Sequence, residues 1–214
     1  MQPGSDRFHT GWRWPTLVGL GAALVLMPVG QPSRELRIPM PVAWYGSSKP
    51  VVVFGSGTLT MPNSTSRAIT YDPDLAPIGA AMTATIIPTS EGSRAQLTVL
   101  GLLPNRSYAV AAYNNRCGPT AGASGVRFQN HPDPAATPSA PSINPRYANP
   151  DNEIWLDVRT DASGAGTGAT TVPFVLTDRV PGSIVVHDQT HTPENAAQAG
   201  NLGARIACLT LSRR

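Results

Sequence analysis

The chain has 214 residues and a formal net charge of +3, with 20 Gly and 22 Pro. Gly and Pro scattered at that density exclude a helix-rich fold and point to an all-β domain with many turns. Its 16 basic residues, all Arg except Lys49, form no cluster, which argues against a nucleic-acid partner.

The first feature along the chain is Arg7 and Arg13 ahead of an uncharged apolar run from Thr16 to Gly30. A positive segment before such a run is the layout of an export signal. The run falls short of the about 20 apolar residues a membrane span needs. No Ala-x-Ala site follows, so residues 1–30 read as either a signal peptide or a short membrane anchor. Both place the protein outside the cytoplasm, secreted or membrane-anchored, where a disulfide persists. With two cysteines, Cys117 and Cys208, only one intramolecular pairing exists.

Residues 31–67 are rich in Pro, Ser and Gly and read as a linker, with one β-like run at Val51–Phe54 as an added edge strand. The sequons at Asn63 and Asn105 carry meaning only where the source glycosylates exported proteins. A folded domain is expected over residues 68–214. Met82, Ala84 and Ile86 alternate with Thr83 and Thr85, and Ala95, Leu97 and Val99 repeat the pattern. Period-2 alternation marks half-buried strands, and the turn PTSEGS between them predicts a hairpin. Tyr108–Tyr113 is the next strand, followed by NEIWLDVRT, ATTVPFVLT, GSIVVHD and ARIACLTL. At least seven strands predict a Greek-key β-barrel or sandwich. Two connections, residues 114–152 and 188–204, are too long for simple turns, and such loops on a β-scaffold usually carry function. No phosphate-binding loop and no Gly-x-Ser-x-Gly elbow is present.

The segment SIVVHDQTHTPENAAQAGNLGARIACLTL ends one strand in His187 and opens the last strand with Arg205 ahead of Ile-Ala-Cys. This resembles the C-terminal third of the copper/zinc superoxide dismutases. NRSYAVAAYNNRCG looks like that family's strand with a His-x-His pair followed by Cys-Gly. GVRFQNHPDP looks like its Gly-Pro-His-aromatic-Gln-His segment, and INPRYANPDNEIWLDVRTDASG resembles the following segment of an actinobacterial-type branch. The resemblance spans roughly residues 75–212. It implies that family's Greek-key β-barrel with long loops, a Cys117–Cys208 disulfide, His187 as a copper ligand and Arg205 as the residue that guides superoxide.

Four positions depart from the family's pattern. Ala111 and Tyr113 stand where the His-x-His pair aligns, Arg127 where the next histidine aligns, and Asn130 where the histidine after aromatic-Gln aligns. Dismutation alternates Cu(II) and Cu(I) and needs several neutral nitrogen ligands in a fixed array. Alanine offers no donor, and a guanidinium stays charged and repels a divalent metal. His131 and His191 are weak substitutes on loops. Asp151, Glu153 and Asp157 do not complete a zinc site; they read as surface or loop-fixing carboxylates, with Asp157 pointing outward. Arg205 is then expected either to pair with Asp188 or Glu194, or to form an anion site together with Arg127. The expectation is an exported superoxide-dismutase-like domain that has lost copper and catalysis, binds no cofactor, and acts as a binding or structural protein with an envelope partner. The competing expectation is a copper-dependent dismutase converting superoxide through His187 with His131 or His191.

Overall fold

The computed structural model describes residues 49–214 apart from residues 64, 138–139 and 196–197. The expected export signal or anchor of residues 1–30, and most of the expected linker, lie outside the described residues.

The strands in chain order are β1 (Val53–Thr58), β2 (Ala68–Thr70), β3 (Ala81–Thr89), β4 (Gly92–Leu100), β5 (Ser107–Tyr108), β6 (Val110–Tyr113), β7 (Val158–Arg159), β8 (Gly166–Val172), β9 (Ser183–His187), β10 (Arg205–Thr210) and β11 (Ser212–Arg213). One 3-10 turn, Ala121–Ser124, lies between β6 and β7. The strands form a five-stranded sheet in the order β11-β1-β3-β4-β8, a four-stranded sheet β2-β10-β9-β6, and a two-stranded ribbon β5-β7. Every named pair is antiparallel. The two larger sheets do not close into one hydrogen-bonded ring, so the architecture is that of an antiparallel β-sandwich.

Side-chain alternation builds the layers. Met82, Ala84 and Ile86 of β3 are buried while Thr83 and Thr85 are exposed. Ala95, Leu97 and Val99 of β4 face the same interior. On the opposing sheet, Val110 and Ala112 of β6 and Ile184 and Val186 of β9 meet them in one apolar core. Fully burying side chains of this kind contributes about 1.5–3 kcal/mol each.

The folded region begins earlier than residue 68. The linker expected over residues 31–67 supplies β1, which pairs with β3 from Val53↔Ile86 to Thr58↔Ala81. Val53 is fully buried in the core. Gly55 lets β1 pass close over β10, because a Cβ there would lie 2.6 Å from the Thr210 carbonyl oxygen. Glycine therefore serves close packing here as well as flexibility, and composition alone does not separate the two.

The outer face of the four-stranded sheet carries a second cluster. Period 2 turns Ala111 and Tyr113 away from the main core, and they pack with Ala109, Trp155, Val185, Leu202 and Cys208. Cys117 and Cys208 are joined as a disulfide with Cα atoms 5.8 Å apart and 91 residues between them in sequence. It anchors the long connection after β6 to the middle of β10. Closing a loop of that length restricts the unfolded chain and contributes about 4–5 kcal/mol in the chain-entropy account. The Cys117→Ser/Cys208→Ser variant should lose up to about 4 kcal/mol of unfolding free energy, read as a lower urea midpoint. An unchanged midpoint would mean that the bridge does not constrain the unfolded chain.

Candidate functional site

The two long connections fold over the second cluster and border a solvent-open cavity of about 300 Å³. Tyr113 from β6, His187 from β9, Arg205 from β10 and Arg127 from the first connection line it together. The strands set this arrangement. His187 and Arg205 are cross-strand partners at the end of the β9–β10 ladder, where a bulge between Arg205 and Ala207 shifts the register. A β-bridge between Tyr113 and Arg127 brings the first connection alongside β6.

Arg127 is 5% exposed and Glu153 1% exposed, and Arg127 Nε donates to Glu153 Oε2 at 2.7 Å. Burying two charges costs several kcal/mol per ion unless geometry and further hydrogen bonds compensate. Both partners are compensated. Glu153 also accepts from Trp155 Nε1 at 2.7 Å and from Gln129 Nε2 at 2.7 Å. Arg127 Nη1 donates to the Gly200 carbonyl at 2.7 Å, and Nη2 donates to the Ser142 carbonyl. Gly200 has φ 63°, and a Cβ at that position would lie 2.6 Å from the guanidinium carbon of Arg127. Any other residue there would displace the arginine or strain the backbone.

The second group is Tyr113, His187 and Arg205. His187 is 2% exposed. Its Nδ1 lies 3.2 Å from the Gly203 carbonyl and its Nε2 lies 3.1 Å from the Tyr113 hydroxyl. A carbonyl only accepts, so Nδ1 carries the proton and Nε2 accepts from Tyr113. Burial, aided by the positive charges of Arg205 and Arg127, pushes the His187 pKa from 6.5 down to about 3, although the bond to Gly203 works against this. Burial also holds the Tyr113 hydroxyl above its usual range, with the two arginines opposing, so it remains a donor. The Arg205 guanidinium sits 4.5 Å over the Tyr113 ring in a cation–π contact.

Arg205 does not pair with Asp188 or Glu194 as expected. Its Nη1 donates to the Ala121 carbonyl and the Ser124 hydroxyl, each at 3.0 Å, and its Nη2 to the Gly125 carbonyl at 2.8 Å. The 3-10 turn leaves carbonyls without partners in its own backbone, and the arginine satisfies them. Asp188 Oδ1 instead accepts from the Ala204 amide at 2.8 Å. Glu153, expected among surface or loop-fixing carboxylates, is buried because Arg127 is buried beside it. Asp157 is exposed, yet it fixes a loop: it accepts from the Val110 amide and from both the amide and hydroxyl of Thr192. Asp151 is exposed.

Ala111 lies under the cavity in the apolar cluster and provides no donor. Asn130 lies elsewhere, in a depression with Phe128 and Arg179. His131 and His191 are exposed, and neither lines the cavity. The His131 amide bonds to Asn152 Oδ1 at 2.7 Å, and the His191 ring lies 3.3 Å from the Thr190 hydroxyl. The cavity thus offers one imidazole whose only lone pair already accepts a hydrogen bond, with two guanidinium groups beside it. That donor set does not fit copper. Sequence reasoning missed the residues that complete the buried pair, namely Ser142 and Gly200 on Arg127 and Gln129 and Trp155 on Glu153.

No protein-family model matches the chain, and no curated protein matches it significantly.

Two outcomes follow from this geometry. Arg127→Met and Glu153→Leu, taken singly, should each cost about 3–5 kcal/mol, and the Arg127→Met/Glu153→Leu double variant less than their sum. Chemical denaturation checks this, and strict additivity would mean that the two groups do not act as a pair. For His187 the folded pKa lies below the unfolded one, so its contribution is full above pH 6.5 and is lost as pH falls toward about 3. The loss grows by about 1.4 kcal/mol per pH unit. His187→Gln, which does not titrate, should show a flatter stability profile over that window. Parallel profiles for the two proteins would contradict the buried neutral imidazole.

Proposed function

We propose that this chain is an exported superoxide-dismutase-like domain of the copper/zinc family, in which the copper site has become a metal-free cavity. It acts without catalysis, as a binding domain of the cell envelope. The observation that carries the reading is the convergence on one cavity of three positions where the family's metal ligands align. There, Tyr113 hydrogen-bonds the remaining imidazole, His187, and Arg127 is locked to Glu153. The disulfide and the Arg-flanked apolar run of residues 16–30 support an extracytoplasmic location. The antiparallel sandwich supports the Greek-key assignment.

The cavity's electrostatics favour an anion over a metal cation. Glu153 neutralises Arg127, whereas no carboxylate among the described residues lies within ion-pair distance of Arg205. The anion site expected from two arginines therefore narrows to one, with Arg205 as the residual positive charge.

Metal loading tests the reading. The purified full chain is incubated with copper and zinc salts, dialysed and analysed for bound metal and for superoxide dismutation. The expected result is substoichiometric copper and no dismutation above that of the free ion. One tightly held, redox-active copper per chain with dismutase activity would replace this reading with that of a working enzyme.

A further inference from the structure

A second site lies away from this cavity, at the ribbon formed by β5 and β7. Arg106 Nε is buried and has no hydrogen-bond acceptor among the described residues. The rest of its guanidinium is anchored: Nη2 donates to the Asp188 carbonyl at 3.0 Å, and the group lies 5.2 Å from the Tyr108 ring centroid. The side chain is therefore held in place with one N–H unanswered. A buried donor without an acceptor is costly, and an acceptor reaches this one when the guanidinium turns toward the cavity that Arg106 lines.

Arg106 lines a cavity of about 480 Å³ together with Asn105, Ser107, Arg159 and Thr190. Register places Arg159 directly across from Ser107. The Arg159 side chain is exposed and makes no hydrogen bond or ion pair among the described residues. Asn105 adopts φ 53°, a conformation uncommon for a residue with a side chain, and its amide bonds to the Asp161 carbonyl at 3.0 Å. No Asp or Glu lines the cavity, so one anchored cation and one free one line it without a counter-charge in its wall.

We propose that this cavity is a binding site for a phosphate group, either inorganic phosphate or a phosphate monoester. Two guanidinium groups match the charge of a phosphate dianion, and their planar forks suit its oxygens. A carboxylate has only two oxygens and would be satisfied by one fork. Tetrahedral phosphate has further oxygens to accept from the Ser107 and Thr190 hydroxyls. Arg106 is the anchored cation, its Nε–H turning to the ligand on binding, and Arg159 closes over the ligand from the rim. The site is independent of the reading of the first cavity, because it shares no lining residue with it.

Calorimetric titration of the full chain with inorganic phosphate at low chloride tests the proposal. Saturable binding is expected, weakened at least about tenfold in Arg159→Gln. The Arg159 side chain forms no bond among the described residues, so this variant should fold as the parent does. Arg94→Gln removes the same charge from an exposed position on β4 and should leave binding unchanged. In NMR spectra the Arg106 Nε–H resonance should shift as phosphate saturates. Vesicles of phosphatidic acid in phosphatidylcholine, compared with phosphatidylcholine alone, distinguish a lipid-borne monoester from free phosphate. Binding to either source that is lost in Arg159→Gln but not in Arg94→Gln supports the site. Absence of saturable binding to both sources, equal binding by the two variants, or an unmoved Arg106 signal at saturation would overturn it.

Discussion

The buried pair of Arg127 and Glu153 organises everything above the four-stranded sheet. A guanidinium at 5% exposure has few tolerable environments, and this one binds three separate stretches of chain at once. Glu153 fixes the end of the first long connection, Ser142 its middle, and Gly200 the second connection. Loops of this length would otherwise sample many conformations. One charged fork replaces that freedom with a network whose every member depends on the others, and partial satisfaction would be worse than none. Gly200 shows how tightly the network constrains sequence: the guanidinium occupies the space a side chain would need.

The same constraint shapes the cavity beneath. With Arg127 neutralised, the strongest remaining field comes from Arg205, held by the carbonyls of the 3-10 turn and stacked on Tyr113. Burial and the nearby positive charges keep His187 neutral, and a neutral imidazole with Nδ1 bound to a carbonyl has one lone pair left. Tyr113 takes it. In the proposed reading, a protein-borne cation and a hydroxyl stand where metals and their ligands would otherwise order the loops. The disulfide complements them by fixing the first connection to β10 from its other end.

Much of this arrangement was legible in the sequence, and the reasons are local. Period-2 alternation in β3 and β4 required no knowledge of partners, because each strand buries one face whatever it pairs with. The convergence of Tyr113, Arg127, His187 and Arg205 was expected from the resemblance to the copper/zinc superoxide dismutases, and the four side chains line one cavity. The pairings of the two arginines were not legible. Arg205 was expected either to meet a carboxylate or to form an anion site, but carbonyls exposed by a short turn carry no signature in residue type. Glu153 had a usable signal: an acid directly ahead of the apolar run Ile154-Trp155-Leu156 is a candidate for burial beside a cation. The run at Val51–Phe54 was read as an edge strand added from a linker, and β1 extends beyond it to Thr58, where the glycines suggested flexibility but Gly55 serves contact with β10. Asn130 was placed among the site positions by alignment, yet the backbone turns it into a different depression.

The state of His187 is the most direct point at which this account stands or falls. Nitrogen-15 NMR of its ring, followed during a copper titration of the full chain, reports tautomer, charge and metal contact together. The account predicts a neutral ring protonated at Nδ1, with Nε2 accepting a hydrogen bond, and signals that copper leaves unshifted and unbroadened. Selective broadening of the His187 ring at stoichiometric copper, or a protonated imidazolium near neutral pH, would contradict it.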